Sequence, residues 1–274
     1  MRLIYEDIAE KLLTSNRFLK YQKWVEEAEK ARKTGSFDPK RNQYDKAEEL
    51  ITFYTFAPLA HENVPDNAKK KVVQEILSSV AIEESVGKVK LHLEKDLPPP
   101  DSYLQWLRNE VRYHPIRYIR KEAGTKRVLE GYTQVDAIME TNNLLILIEV
   151  KFTSDISPYT KFGLIRNQFA RSIDAGIYKA QRLHKKLIAL LCTPSELYQR
   201  RSRFYYYKMQ EYSDFSNVQK DILWRTINEI KETLSKVEWI SLEVVIKIVY
   251  QNTKGHLGPC VKEVDEFFKE RGLK

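Results

Sequence analysis

Leu144-Leu145-Ile146-Leu147-Ile148 is apolar at five consecutive positions and runs without a break into Glu149, Val150 and Lys151. Strand side chains alternate between the two faces of a sheet, so a strand that is apolar at every position is covered on both sides. Such a strand belongs in the middle of a layered α/β arrangement, with helices above and below. Charged groups rarely enter a strand of this kind without partners. Its charged end is therefore the place where the sequence asks for an explanation.

The preceding segment supplies one. Thr133–Met139 and Leu144–Lys151 read as two strands of a hairpin joined by Glu140-Thr141-Asn142-Asn143, a polar stretch in which asparagine tolerates left-handed backbone angles. A turn centred between Thr141 and Asn142 sets Asp136 opposite Leu147 and Gln134 opposite Glu149. Gln134, Asp136 and Ile138 then share a face with Leu147, Glu149 and Lys151, so two carboxylates and an amine gather on one side. A divalent cation held between the carboxylates would compensate their charge, and oxygen ligands favour magnesium or manganese over zinc. The Lys151 ammonium could orient or deprotonate an attacking water, or steady the charge of a phosphorane.

At these residues the chain resembles the PD-(D/E)XK nuclease superfamily, with Asp136 on one strand and Glu149-Val150-Lys151 on the next; Val135 stands where the motif's name has proline. The resemblance implies a restriction-endonuclease-like mixed central sheet flanked by helices. It implies that Asp136, Glu149 and the Val150 carbonyl bind Mg2+ or Mn2+ and that Lys151 is catalytic. It also implies a further glutamate from the preceding helix, for which Glu110 leads and Glu122 and Glu130 are alternatives. Phe162–Lys186 reads as a helix with Ile165, Phe169, Ile173 and Ile177 on its sheet-facing stripe, and Gln168 and Arg171 lie three residues apart on it. Several branches of the superfamily carry a glutamine or a basic residue there. The likeness extends from Asp101 to near Thr193.

The remainder of the chain bounds the function more loosely. Its 274 residues carry a formal charge of +8, with 31% charged and 42% hydrophobic residues. This balance favours a polyanionic partner without separating nucleic acid from an anionic membrane, and the nuclease resemblance implies nucleic acid, DNA first. Lys161, Arg166 and Arg171 are candidates to clamp phosphates beside the site. Arg200, Arg201 and Arg203 alternate with tyrosines in YQRRSRFYYYK, which reads either as a grip on unpaired bases or as an amphipathic helix with half-buried tyrosines. No apolar run approaches a membrane span, and MRLIYEDIAEKL lacks the layout of a cleavable signal, so no membrane partner and a cytoplasmic location are expected. Cys192 and Cys260 are too few for a disulfide framework and have no zinc-site spacing.

Residues 1–97 read as a helical N-terminal domain, with breaks near Thr34–Pro39 and between Pro58 and Pro65. Pro98-Pro99-Pro100 marks a boundary with an α/β domain over 101–274. The basic pairs and triplets Lys40-Arg41 and Lys69-Lys70-Lys71 read as solvated surface or as backbone contacts. Beyond the hairpin and its helix, the expected elements are a strand at Leu187–Cys192, possible pairing around Phe152, helices at Glu196–Tyr212 and Val218–Lys236, a long strand at Glu238–Tyr250 and a closing helix at Val261–Lys269. The function expected is a metal-dependent endonuclease, with a homodimer suited to double-strand cleavage. A nucleic-acid-binding or assembly protein with a vestigial nuclease core is the alternative.

Overall fold

The computed structural model describes residues 3–37, 44–163 and 166–274, except for the side chains of 44–47. Lys40, Arg41 and Ile165 lie outside the described residues. Helices α1 (Glu6–Leu12), α2 (Ser15–Lys33), α3 (Tyr44–Phe56) and α4 (Asp66–Ser79) come first, followed by β1 (Lys90–Leu97). Helices α5 (Asp101–Glu110) and α6 (Arg117–Thr125) then lead to β2 (Thr133–Glu140) and β3 (Leu144–Val150), and α7 (Gln168–Arg182) carries the chain to β4 (Lys186–Thr193). Four short helices, α8 (Ser195–Tyr198), α9 (Phe204–Glu211), α10 (Phe215–Asp221) and α11 (Ile227–Thr233), precede β5 (Leu234–Ser241). The chain closes with α12 (Leu242–Thr253) and α13 (Cys260–Lys269).

The strands form one mixed sheet in chain order, β1 to β5. β1, β2 and β3 pair antiparallel, whereas β3, β4 and β5 pair parallel. The protein is thus α/β, with helices on both faces. Ala137, Met139, Ile146 and Ile148 point into a core shared with α1 to α4, α12 and α13. Ile138, Leu145 and Leu147 point into a second core with α7, α9 and α10. Every residue of β3 is buried, as a strand covered on both sides must be.

Helix α7 fixes the spacing of the second layer. Phe169, Ile173 and Ile177 are buried against the sheet. Gly176 lets the helix settle directly onto β3, because a Cβ there would lie 2.3 Å from Leu147 Cδ1. The helix begins at Gln168, later than the sequence predicts, because the Asn167 side chain caps it by accepting from the Ala170 N–H at 2.9 Å.

The hairpin forms with its register displaced by two positions. Thr141 N–H donates to Leu144 O at 2.9 Å and Leu144 N–H to Thr141 Oγ1 at 3.1 Å, so Asn142-Asn143 makes the turn and Ile138, not Asp136, faces Leu147. A shift of two preserves the alternation, and every side chain keeps its expected face.

Four other expectations are corrected. The front of the chain is not helical throughout, since Lys90–Leu97 pairs with β2 as the edge strand; the triple proline sits at the join between β1 and α5. The long strand expected over Glu238–Tyr250 ends at Ser241, whose hydroxyl accepts from the Val244 N–H at 3.4 Å and starts α12. Glu196–Tyr212 and Val218–Lys236 are each divided, the first into α8 and α9, the second into the end of α10, then α11 and the start of β5. No strand forms around Phe152, which lies in the loop after β3.

Candidate functional site

Where β2 and β3 cease to pair, Asp136 takes over from the ladder. Its Oδ2 accepts from the Val150 N–H at 2.7 Å, a side chain completing what backbone pairing leaves open. Glu149, one residue earlier on β3, is 1% exposed. Its Oε1 meets Lys151 Nζ at 2.9 Å and accepts from Gln168 Nε2 at 2.5 Å, while Ser172 Oγ donates to Oε2 at 3.4 Å. Gln168, Ser172 and Gly176 follow one another at four-residue spacing on α7. The close approach permitted by Gly176 is therefore what brings the two donors to Glu149.

A third carboxylate comes from the opposite layer. Glu48 of α3 accepts from the Phe152 N–H at 2.6 Å and from Ser154 Oγ at 2.8 and 2.9 Å, immediately beyond Lys151. Burial raises its carboxyl above the usual range, and the Lys151 charge opposes that rise. Asp136 is pushed up further, first by burial and then by the charge of Glu149, with Lys151 and the Val150 N–H acting against the shift. Burial alone would lower Lys151, but Glu149, Asp136 and Glu48 together raise it above its ordinary value. Three carboxylates thus share one buried ammonium.

The glutamates expected from the helix before the hairpin lie elsewhere. Glu110 is exposed at the end of α5. Glu122 pairs with Lys161, and Glu130 accepts from Tyr103 Oη at 2.7 Å, Arg166 Nε at 3.1 Å and Arg171 Nε at 3.2 Å. Among the described residues none of the three bonds to Asp136, Glu149 or Lys151. The carboxylate that does reach the end of β3 is Glu48, from a helix that precedes β1. Its sequence signal was the stripe Glu48, Thr52 and Thr55 at helical spacing running into the apolar second half of α3, the two threonines being buried.

The expected phosphate clamps divide in the same way. Arg166 is 3% exposed and committed to Glu130 and to Asp174 Oδ2 at 2.8 Å, so its charge is used inside the fold. Arg171 is partly exposed and bound to Glu130 and to the Tyr132 carbonyl at 3.3 Å. Arg203 donates to Thr153 O at 2.8 Å, and Asp155 accepts from the Phe204 and Tyr205 N–H groups, which ties the start of α9 to the loop after Lys151. Arg200 pairs with Glu196 at 2.6 Å, and Arg201 is exposed. Tyr205 is buried, Tyr206 half-buried and Tyr207 exposed, so much of this aromatic cluster is packing.

An all-oxygen set of Asp136, Glu149 and the Val150 carbonyl, with Glu48 beside it, fits a hard divalent cation by donor chemistry. In the arrangement described, Lys151 occupies Glu149 Oε1, and among the described residues no three acidic, histidine or cysteine side chains converge closely enough to enclose a metal. The described residues also contain no helix long and apolar enough to cross a membrane. No protein-family model, curated protein or solved structure matches this chain.

Proposed function

We propose that the protein is a Mg2+- or Mn2+-dependent nuclease of restriction-endonuclease-like type that hydrolyses phosphodiester bonds, with DNA as the leading substrate. The observation that carries this reading is a surplus of negative charge at one enclosed point: buried Glu149 meets the Lys151 ammonium at 2.9 Å, and the half-buried carboxylates of Asp136 and Glu48 act on the same charge. Buried charge is ordinarily paired, and a carboxylate surplus is relieved by protons or by a cation. A bound Mg2+ or Mn2+ supplies Lewis-acid polarisation of the phosphoryl group and activates water at neutral pH.

The residues have separable tasks. The Val150 N–H fixes the Asp136 carboxylate, while Gln168 and Ser172 orient Glu149. With no cation bound, Glu149, Asp136 and Glu48 hold the Lys151 ammonium charged, and in the loaded site that charge would face the phosphate. Glu48 holds the loop after β3 and faces the same cluster. The Glu149–Lys151 ion pair favours a second reading, a vestigial core used for nucleic-acid binding, in which the pair is purely structural.

The test is cleavage of supercoiled plasmid and of single-stranded DNA by wild type and Asp136→Asn, each in EDTA, Mg2+ and Mn2+. The nuclease reading expects metal-dependent cleavage by wild type only. DNA binding that persists in EDTA, with no cleavage under any condition, favours the vestigial core. Cleavage by the variant at the wild-type rate removes Asp136 from the mechanism.

A further inference from the structure

From the end of α5 to just past α6 the chain carries a run of net positive charge. From Arg108 to Arg127 there are seven basic residues against Glu110 and Glu122, so this stretch holds +5 of the chain's +8. Arg112 and Arg117 are both exposed, and among the described residues neither has an acidic partner. Between them stands Tyr113, 84% exposed, a large aromatic side chain left in water. Isolated exposed aromatics are ordinary, but this one borders a cavity.

The cavity, about 230 Å3, lies between α5, the turn before α6 and the segment before α7. Trp106, Tyr113 and Phe162 give it aromatic walls, and at its floor the Arg166 guanidinium lies 3.7 Å from the centre of the Tyr103 ring. His114 lines it and is 6% exposed. The ring's Nδ1 accepts from the Ile116 N–H at 3.2 Å, so the neutral imidazole carries its proton on Nε2. That Nε2 is buried without a hydrogen-bond partner. A buried donor left unsatisfied is costly, and because Nε2 is closed off from solvent, an acceptor would have to reach it by a shift of the turn that lines the cavity.

We propose that this cavity receives an unpaired nucleobase of a DNA strand, with the ring between Trp106 and Tyr113, an acceptor on its edge taking the His114 Nε2 proton, and Arg112 and Arg117 holding the flanking phosphates. Flat aromatic walls, one buried donor and a basic rim are the complement of a planar ring that bears acceptors and sits between two anions. Glu110 at the rim offers an acceptor to an exocyclic amine. The cavity is linked to the carboxylate cluster through the chain: Arg166 on its floor stands two residues before Gln168, and Glu130 joins Arg166 to Arg171 of α7. A base seated here therefore fixes a strand beside β3. This inference takes its nucleic-acid partner from the proposed function but does not depend on hydrolysis.

The test is fluorescence-anisotropy binding in EDTA by the full chain carrying Asp136→Asn, so that cleavage plays no part. The probes are a fluorescein-labelled single-stranded oligodeoxynucleotide, the same strand in a blunt duplex, and a nucleoside monophosphate as competitor. The single strand should bind more tightly than the duplex, and Tyr113→Ala should weaken it about tenfold, the scale of one lost stacking contact, with Tyr113→Phe restoring it. Tyr113 is too exposed for its truncation to unfold the chain; His114→Gln, which keeps a donor, and His114→Leu, which removes it, form a second pair of which only the latter should weaken binding. Single-strand affinity within twofold of the parent in both Tyr113→Ala and His114→Leu would overturn the proposal and leave the cavity to water. Equal affinity for duplex and single strand, or competition by the monophosphate with no strand binding, would overturn it too. If binding behaves as expected while wild type cleaves nothing in Mg2+, the hydrolase reading fails and the pocket stands; cleavage with binding indifferent to Tyr113 and His114 is the reverse.

Discussion

Two buried clusters of charge lie on either side of Gln168, and they are built on opposite principles. Around Asp174 the signs nearly balance, with Arg166, Arg225 and the partly exposed Arg171 against Glu130 and Asp174: Arg225 Nε lies 2.5 Å and Trp224 Nε1 2.9 Å from Asp174, and Tyr103 donates to Glu130. Around Lys151 they do not, since Asp136, Glu149 and Glu48 exceed the one ammonium. Balanced, hydrogen-bonded ion pairs hold elements together at little net gain, and removing one partner is far costlier than the pair is worth. A surplus of one sign raises carboxylate pKa values and leaves the site ready for a cation. The first cluster is architecture joining α7 to α5 and to the turn before α11, and the second is where the proposed chemistry would sit.

The sharpest break in this contrast is Asp174→Ala. It strips Arg166 and Arg225 of their shared acceptor while both remain buried, at 3% and 4% exposure. A loss of about 3–5 kcal/mol is expected, the usual consequence of an orphaned buried charge. Urea denaturation measures it; a loss below about 1 kcal/mol would mean that the balanced network does not hold the helices.

Asp136→Asn should do the opposite. Asp136 and Glu48 have folded pKa values above their unfolded ones, so between those values the native state binds more protons than the unfolded chain. Their contribution to stability is therefore greatest at low pH and is lost as pH rises from about 4 through the raised folded values. Metal-free wild type and Asp136→Asn should match in acid and separate toward neutrality, the variant being the more stable. Lys151, with a raised pKa, gives stability that persists until strongly alkaline pH. Mg2+ should stabilise wild type by up to about 2.7 kcal/mol at a hundredfold excess over its dissociation constant and leave the variant unmoved. Thermal melts across pH, with EDTA and with Mg2+, read both effects; a variant less stable than wild type at pH 7 would show that the surplus charge is already neutralised within the fold.

Glu48→Gln probes the member of the cluster that the sequence hid. The amide oxygen can still accept from Phe152 and Ser154, so folding should change little, while metal affinity should fall about 10–100-fold. Calorimetric titration with Mn2+ measures the change, and an unaltered affinity would confine Glu48 to holding the loop.

What was legible in the sequence was local and periodic. The five-residue apolar run declared β3, alternation placed Asp136 and Glu149 on one face despite a two-residue register error, and the α7 stripe announced its contact with the sheet. Glu48 was not legible as a neighbour, because a helix about a hundred residues upstream is brought to β3 only by tertiary packing. β1 was missed because KLHLEKDL buries Leu91, Leu93 and Leu97 amid charges that suit an exposed edge. The junction at Ser241 was missed because even-numbered apolar positions imitate a strand, although Leu242, Val245, Ile246 and Val249 carry the helical spacing that the structure uses. Arg166 looked like a phosphate ligand because a sequence does not say which charges are turned inward.

Arg201→Ala carries the smallest effect and tests the boundary of the comparison, because Arg201 belongs to neither cluster. It is exposed in the turn between α8 and α9, and among the described residues it has no acidic partner. Its removal should alter stability by less than about 0.5 kcal/mol, as surface substitutions do. If the turn follows a DNA backbone, binding should weaken equally for all sequences and the slope of log affinity against log salt should fall by about 0.9, the release of one phosphate contact. Titrations at several salt concentrations separate the outcomes: an unchanged slope would make Arg201 ordinary solvated charge and leave Arg112 and Arg117, across the molecule's second basic surface, as the residues that meet the strand.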